Sequence, residues 1–100
     1  MKVKAKIKKD MVLVKLLAQH PMETGLRKDK KTGEVIPAHY IQELVCKHQD
    51  KTVFTANFGR AVSKNPYVSF SFSGGKSGDQ LSLSWVDNLG ETEAVDVAIK

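Results

Sequence analysis

Apolar and polar side chains alternate with a period of two along most of this chain, and this alternation strongly limits what the chain can fold into. Between residues 67 and 73, for example, apolar residues alternate with serines. Period two is typical of β-strands with one buried face. The pattern predicts seven strands, at residues 3–9, 11–19, 39–47, 52–58, 67–73, 79–86 and 91–99. No segment has the 3.6-residue period of an amphipathic helix, so the sequence predicts strands only.

Turn-forming sequences separate these strands, as at residues 74–78 and 87–90. Short strands with turns about every eight to twelve residues are typical of an immunoglobulin-like β-sandwich. We therefore expect an all-β sandwich of about seven antiparallel strands, forming one domain over residues 1–100. A single cysteine and a late tryptophan, Trp85, distinguish it from an antibody domain.

The longest irregular segment spans residues 20–38 and begins with the sequence His-Pro-Met-Glu-Thr-Gly. The proline holds His20 in an extended conformation, and Gly25 allows the chain to turn with a positive φ. Basic residues at 27–33 predict a protruding, hairpin-like loop. Connections of this length are often functional. The alternative is that Met22 closes the end of the core and its polar neighbours cap the backbone.

Positive charge is concentrated in the first half of the chain. The formal net charge is +5, and residues 1–50 contain eleven Lys or Arg against six acidic residues, whereas residues 51–100 contain five of each. A basic surface suits nucleic acid, anionic small molecules or an acidic partner. The aromatic residues occupy inward positions and are not interleaved with Lys and Arg, which argues against nucleic acid. The lysine row of the first strand is typical of a protected sheet edge.

Two predicted strands, 11–19 and 39–47, are apolar on both faces. Such strands need a cover on each side. One thin sandwich does not supply it, so the sequence predicts that a protein partner does. The residues expected to face this partner are Leu13, Leu17, Ile41 and Val45. Without the partner, we expect the same surface to self-associate.

The chain shows no recognisable catalytic motif. Cys46 is the only cysteine, so no internal disulfide or cysteine-based metal site is predicted, and its mid-strand position indicates a buried core thiol. The three histidines lack a nucleophile motif, and no helix is predicted that could support a phosphate loop. The late acidic residues are expected mostly on an exposed strand face: Asp87, Glu91, Glu93 and Asp96. An enzyme is therefore not favoured.

A copper-binding β-sandwich is the alternative function. His20 and Met22 offer an imidazole and a thioether, which are ligands that suit copper. Met11 or His39 would complete the set. The evidence for this alternative is one histidine and one methionine in a turn.

No apolar run approaches the ~20 residues of a membrane helix. The basic start at residues 1–9 has no apolar region of a signal peptide. Read alone, these features predict a cytoplasmic protein without membrane contact.

The chain also resembles the SoxZ family, the subunit of the SoxYZ carrier in the thiosulfate-oxidising Sox pathway, over essentially its whole length. The matching pieces are, in order, His20-Pro21-Met22-Glu23-Thr24-Gly25, Val45-Cys46, Asn65-Pro66 before Val68-Ser69-Phe70, Trp85 with Asp87 and Gly90, and Glu91-Thr92.

This resemblance implies a non-catalytic subunit without cofactor or metal, paired with a SoxY-like subunit. The mobile C-terminal arm of SoxY carries sulfur intermediates on the cysteine of a Gly-Gly-Cys-Gly-Gly-type segment. This chain ends at 97–100 without such a segment, so the carrier cysteine is expected in the partner and not at Cys46. Sox enzymes would be transient clients. The resemblance also implies a periplasmic location, reached as a passenger of the signal-bearing partner.

Combined with the resemblance, the opening of the long segment predicts a functional rim near the partner's carrier arm or a client enzyme. His20 and Arg27 would provide donors or positive charge toward an anionic adduct. Met22 would be an apolar contact, and Glu23 and Thr24 would orient the loop. A turn needs proline and glycine, but it does not need the functional groups between them.

Overall fold

A computed structural model describes residues 1–59 and 61–100. The seven strands are β1 (Lys2–Lys8), β2 (Met11–Leu17), β3 (Ile41–His48), β4 (Lys51–Asn57), β5 (Tyr67–Ser73), β6 (Gln80–Asp87) and β7 (Thr92–Ala98). These described residues contain no helix of the length and apolarity that crossing a membrane requires. The prediction of an all-β chain with seven strands is confirmed. The loop predicted over 59–66 includes Arg60, which lies outside the described residues.

The strands form two antiparallel sheets, in the orders β1-β2-β5 and β4-β3-β6-β7. Their facing sides enclose one core of aliphatic residues with Phe72 and Trp85. Alternation produces this arrangement directly, because every second residue of a strand points to the same face. The immunoglobulin-like sandwich predicted from the sequence is confirmed.

Two of the hairpins use two-residue turns with positive φ at both positions. Lys9 and Asp10 have φ of 51° and 65°, and Gln49 and Asp50 have φ of 50° and 66°. Such turns match the right-handed twist of the strands that they join. They fix the register of β1 with β2, and the register of β3 with β4 next to the turn. Further along, the β3–β4 register shifts by one residue between Cys46 and Lys47.

A β-bulge near the start of β3 changes one assignment made from the sequence. The register with β6 shifts between Ile41 and Glu43, so Ile41 points inward with Leu44 and Cys46. Ile41 has no exposed surface and belongs to the core of this chain. Its prediction as a partner-facing residue is wrong, because strict alternation cannot anticipate the extra residue of a bulge.

Between β2 and β3 the chain forms an extended hairpin, here called the arm (residues 23–39). Isolated bridges pair Glu23 with His39 and Lys28 with Val35, and the carboxylate of Asp29 accepts hydrogen bonds from backbone N–H groups at the tip. The longest dimension of the molecule is 52 Å. The predicted hairpin-like loop is confirmed, and Leu26 on it is 83% exposed.

Candidate functional site

Three polar side chains meet where the arm joins the sandwich. His20 follows β2, His39 ends the arm, and Asp87 is the last residue of β6. Nε2 of His20 lies 3.1 Å from Oδ2 of Asp87, and Nε2 of His39 lies 2.7 Å from the same oxygen. His20 is 4% exposed and Asp87 is 2% exposed. We call these three residues the His–Asp cluster.

Asp87 is the centre of this cluster. Its Oδ2 accepts the two contacts from the histidines, and its Oδ1 accepts hydrogen bonds from the N–H groups of Leu89 and Glu91 at 3.0 and 2.9 Å. Burial alone would raise the pKa of Asp87, but these hydrogen bonds outweigh burial and lower the pKa to about 2. Asp87 is therefore held as a buried carboxylate that joins three segments of the chain.

The backbone fixes the tautomer of His20. The N–H of Met22 donates to Nδ1 of His20 at 3.0 Å, so Nδ1 acts as an acceptor. The proton of the neutral ring then lies on Nε2, where it is donated to Asp87. The ring also packs edge-on against Trp85 at 5.1 Å and His39 at 4.5 Å. Both nitrogens of His20 are thus used inside the fold.

The cluster resembles a metal-binding site, because it offers two imidazoles and a carboxylate whose donor atoms lie within 4.8 Å of one another. Binding through Nε2 of His20 would move the ring proton to Nδ1, opposite the N–H of Met22. Two donors would then face each other, and a buried backbone group would lose its partner at a cost of about 1–3 kcal/mol. The cluster is better explained as a hydrogen-bonded network than as a metal centre.

The copper alternative fits this geometry poorly. The sulfur of Met22 accepts a hydrogen bond from the N–H of Ile41 at 3.3 Å. Met11 lies at the opposite end of β2 from the His20 segment, in register with Lys8. The proposed thioether ligands are therefore engaged elsewhere or distant.

The rim of the site is formed by the start of the arm. The guanidinium of Arg27 donates to both carboxylate oxygens of Glu23, at 2.6 and 3.2 Å, and the hydroxyl of Thr24 accepts from the N–H of Leu26. The hydrogen bond from Arg27 lowers the pKa of Glu23. A cavity of about 690 Å³ separates this rim from residues 61–64.

Residues predicted for the rim divide into two groups. Glu23, Thr24 and Arg27 line the cavity at the surface, and the side chain of Arg27 is 62% exposed. His20 and Met22 are buried, and Met22 belongs to the core. Their placement as contacts at the surface is therefore wrong, because His20 is directed at Asp87 and the sulfur of Met22 accepts a hydrogen bond from the N–H of Ile41 inside the fold. The functional role of the rim stays a prediction.

The predicted partner-facing residues do not share one surface. Leu13 and Leu17 lie on the outer face of the three-stranded sheet, whereas Val45 lies on the outer face of the four-stranded sheet. Both sets are half-buried. The two faces point in opposite directions, so one flat partner surface covers only one of them.

The sequence analysis named His39 only as a possible copper ligand and Asp87 and Glu91 only as exposed acidic residues or parts of the family resemblance, and it did not predict that they meet. His39 connects the cluster to the surface, because its Nε2 also lies 3.1 Å from Oε2 of the exposed Glu91. Asp87 was expected on an exposed face, and it is buried. The alternation of Leu83 and Trp85 on the inner face of β6 continues to Asp87 and could have found it.

Cys46 lies in the centre of β3 with no exposed surface. Burial raises the pKa of its thiol to about 11. The thiolate is the reactive form of cysteine, so this environment makes Cys46 inert. The prediction of a buried core thiol is confirmed.

Fold and site together define a small immunoglobulin-like β-sandwich with a projecting arm and a buried polar cluster at the root of that arm. The family described as sulphur oxidation protein SoxZ matches residues 1–98. The chain therefore belongs to the SoxZ family and is a component of sulfur oxidation. No curated protein sequence matches it.

Proposed function

We propose that this protein is the non-catalytic subunit of a heterodimeric carrier of sulfur compounds. Its partner is a SoxY-like subunit whose C-terminal cysteine arm holds covalent sulfur intermediates during thiosulfate oxidation. In this proposal the present subunit helps to present these intermediates to the Sox enzymes.

The burial of Cys46 is the observation that carries this proposal. A sulfur carrier needs an accessible, nucleophilic thiolate. Cys46 is buried and its pKa is raised, so it cannot exchange sulfur adducts with an enzyme. In a family that takes part in sulfur oxidation, the carrier thiol then belongs to another chain, as expected for the SoxY-like partner.

The His–Asp cluster is consistent with a subunit that does no chemistry of its own. A catalytic histidine needs a free nitrogen beside a nucleophile. Both ring nitrogens of His20 are hydrogen-bonded within the fold, and Asp87 accepts four contacts. These residues stabilise the root of the arm and hold the rim of Glu23, Thr24 and Arg27 in place.

We assign the SoxY-like partner to the outer face of the four-stranded sheet. Its central row, Thr55–Val45–Ser84–Ala94, consists of small uncharged residues directly opposite one another across all four strands. Val86 and Thr92 extend this surface, here called the neutral face. Charged residues lie only in the rows on either side of its centre, where Glu43 is opposite Val86 and Ser82 lies between Lys47 and Asp96. Small side chains allow another sheet to approach closely, and charged residues are depleted at the cores of stable interfaces.

The rim supports contact with anionic cargo or client enzymes. Arg27 is exposed, and Lys64 lines the same cavity beside it. Lys64 would attract an anionic sulfur adduct on the partner's arm, and Arg27, whose charge is paired with Glu23, would offer its remaining N–H donors. We further propose a periplasmic location, with export as a passenger of the SoxY-like subunit.

Co-purification with a tagged SoxY-like subunit tests the proposal. Wild-type chain should co-purify in a one-to-one complex that takes up sulfur from thiosulfate. Val45→Glu should weaken this complex by a few kcal/mol if Val45 is a buried anchor. Leu13→Glu, the matched change on the opposite sheet, should leave the complex intact. Weakening by Leu13→Glu alone would contradict the assignment of the face, and no complex with wild-type chain would contradict the proposed function.

A further inference from the structure

The outer face of the three-stranded sheet combines five lysines with apolar and hydroxyl side chains. It consists of four rows across β1, β2 and β5, namely Lys2–Leu17–Tyr67, Lys4–Lys15–Ser69, Lys6–Leu13–Ser71 and Lys8–Met11–Ser73. We call these residues the basic face. Strands β1, β2 and β5 contain no Asp or Glu, so no carboxylate of this sheet offsets the charge.

Protection of a sheet edge does not account for these lysines. Lys15 lies on β2, which is the central strand of the sheet. The edge of β1 is already covered in part, because Lys100 exchanges backbone hydrogen bonds with Ala5 and Ile7 at 3.0 and 3.1 Å. Because the edge is partly covered and one lysine lies on the central strand, protection of an exposed edge does not explain why this face is so basic.

The arrangement of the lysines works against the stability of the sheet. Lys4 lies directly opposite Lys15, and like charges in this position are destabilising. Among the described residues no lysine side chain forms a salt bridge. Lys4, Lys6, Lys15 and Lys100 are also among the residues that line one cavity of about 510 Å³. The positive field of this face is therefore concentrated and unneutralised within the described chain.

The side chains between the lysines indicate a protein as the occupant. Leu13, Leu17 and Tyr67 alternate with the cations and would contact apolar groups of a protein surface. Nucleic-acid surfaces instead combine cations with aromatic stacking, and Tyr67 is the only aromatic residue among the four rows. Lysine is depleted at the centres of stable interfaces, so a face with five lysines suits a transient contact better than a permanent one.

We propose that the basic face is the docking site for an acidic surface of a transient protein partner. This inference rests on the proposed function, in which that partner is a client enzyme of the sulfur carrier. Electrostatic attraction accelerates encounter, and the apolar residues of β2 then contribute short-range contact. The neutral face stays free for the permanent subunit on the other side of the sandwich.

Titration of the isotopically labelled full chain with a poly-L-glutamate peptide tests the site. Amide signals of β1, β2 and β5 should shift, and the shifts should diminish as ionic strength rises. The double variant Lys4→Glu/Lys15→Glu should raise the Kd about tenfold, because it replaces attraction by repulsion at the centre of the face. Its matched control, Lys30→Glu/Lys31→Glu, makes the same change of net charge at the tip of the arm and should leave the Kd near that of the wild type.

Several outcomes would overturn the inference. These are shifts confined to the arm, equal loss of binding in both double variants, or tighter binding to single-stranded DNA or to phosphatidylglycerol vesicles than to poly-L-glutamate. Co-purification with the SoxY-like subunit separates this inference from the proposed function. If the Lys4→Glu/Lys15→Glu variant still binds the SoxY-like subunit but no longer binds the peptide, the result supports both the basic face as a docking site and the carrier role. A chain that binds the peptide but never the subunit supports the basic face and contradicts the carrier role.

Discussion

At the scale of single residues, Asp87 organises the loop end of the sandwich. It is a buried carboxylate that accepts four contacts from three separate segments of the chain. The cost of burying its charge is offset only while those donors stay in place. A residue of this kind links stability to pH.

We expect the free energy of unfolding to fall by about 2 kcal/mol as the pH drops from about 4 to about 2, owing to Asp87. Its folded pKa of about 2 lies below the ordinary value of 3.8. The contribution is therefore complete above the ordinary value and is lost as the pH falls toward the folded value. Urea unfolding at several pH values measures this loss.

Asp87→Asn should lose most of this pH dependence and be destabilised at neutral pH, since an amide nitrogen would face backbone or histidine donors. Asp10→Asn, at an exposed turn with positive φ, is the control with the same chemical change. Equal acid sensitivity of the Asp87→Asn variant and the wild type would show that the cluster does not control this transition.

Burial separates the residues predicted for the rim into buried ones, His20 and Met22, and ones at the surface, such as Arg27. Met22→Ala should cost about 2–5 kcal/mol, and His20→Ala about 2 kcal/mol, because one removes core volume and the other buried hydrogen bonds. Arg27→Gln is exposed and should change stability by less than about 0.5 kcal/mol, yet it should impair turnover by the Sox enzymes. Melting temperature and turnover are the two measurements.

Lys31→Gln, on the same arm, is the matched control for Arg27→Gln and should leave turnover unchanged. Normal turnover by a folded Arg27→Gln complex would restrict the rim to a structural role.

Cys46 should react with thiol reagents slowly in the native protein and quickly after denaturation, because burial withholds the thiolate. Cys46→Ala should cost about 1 kcal/mol through a small cavity and leave sulfur loading of the complex intact. Mass spectrometry of the loaded complex measures both subunits. A sulfur adduct on Cys46 would contradict the carrier assignment.

At the scale of elements, the pairing of β1 with β2 includes one cross-strand pair of like charges. In this pair Lys4 lies opposite Lys15, whereas the next pairs on the same outer face, Lys2–Leu17 and Lys6–Leu13, each combine a lysine with a leucine. Cross-strand pairs are the local unit of sheet stability, so this single pair should respond to a change of sign.

Lys15→Glu should raise the free energy of unfolding by about 0.5 kcal/mol, because it converts repulsion to attraction across β1 and β2. High salt should remove most of the gain. Lys6→Glu is the control, since its cross-strand partner is Leu13 and no repulsive pair is relieved. A salt-independent gain, or none, would show that the Lys4–Lys15 repulsion does not act in the folded sheet.

At the scale of the whole molecule, the sandwich separates three surfaces. The neutral face and the basic face lie on opposite sides, and the rim lies at the loop end where the arm begins. Because these surfaces do not overlap, the proposed subunit, client enzyme and anionic cargo would not compete for one site. The separation follows from two sheets whose outer residues have different chemistry.

Without its subunit, the isolated chain should self-associate through the neutral face, since the same small residues can pack against a second copy. Sedimentation at increasing concentration should show dimers or larger species. Val45→Glu should suppress them, whereas Ser71→Glu on the opposite face should not. Association that only Ser71→Glu suppresses would place the contact on the basic face.

The sequence by itself determined the strands, the sandwich and the inertness of Cys46. These features depend on alternation, turn residues and residue type. Such signals act over a few neighbouring residues, so they can be recognised without knowing the contacts to distant strands. The projecting arm could also be predicted from the sequence, because its glycines and basic tip indicate a turn. The outward direction of Leu13, Leu17 and Val45 also follows from alternation.

Only the tertiary structure decided what the polar residues do. His20, His39 and Asp87 are separated by up to 67 positions in the chain. The pairing of β3 with β6 brings His39 beside Asp87, and the packing of the two sheets brings His20, which follows β2, to the same place. The bulge near the start of β3 turns Ile41 inward, and Met22 is buried by its contacts inside the fold. Such local shifts depend on packing against other strands, so no pattern along the chain records them.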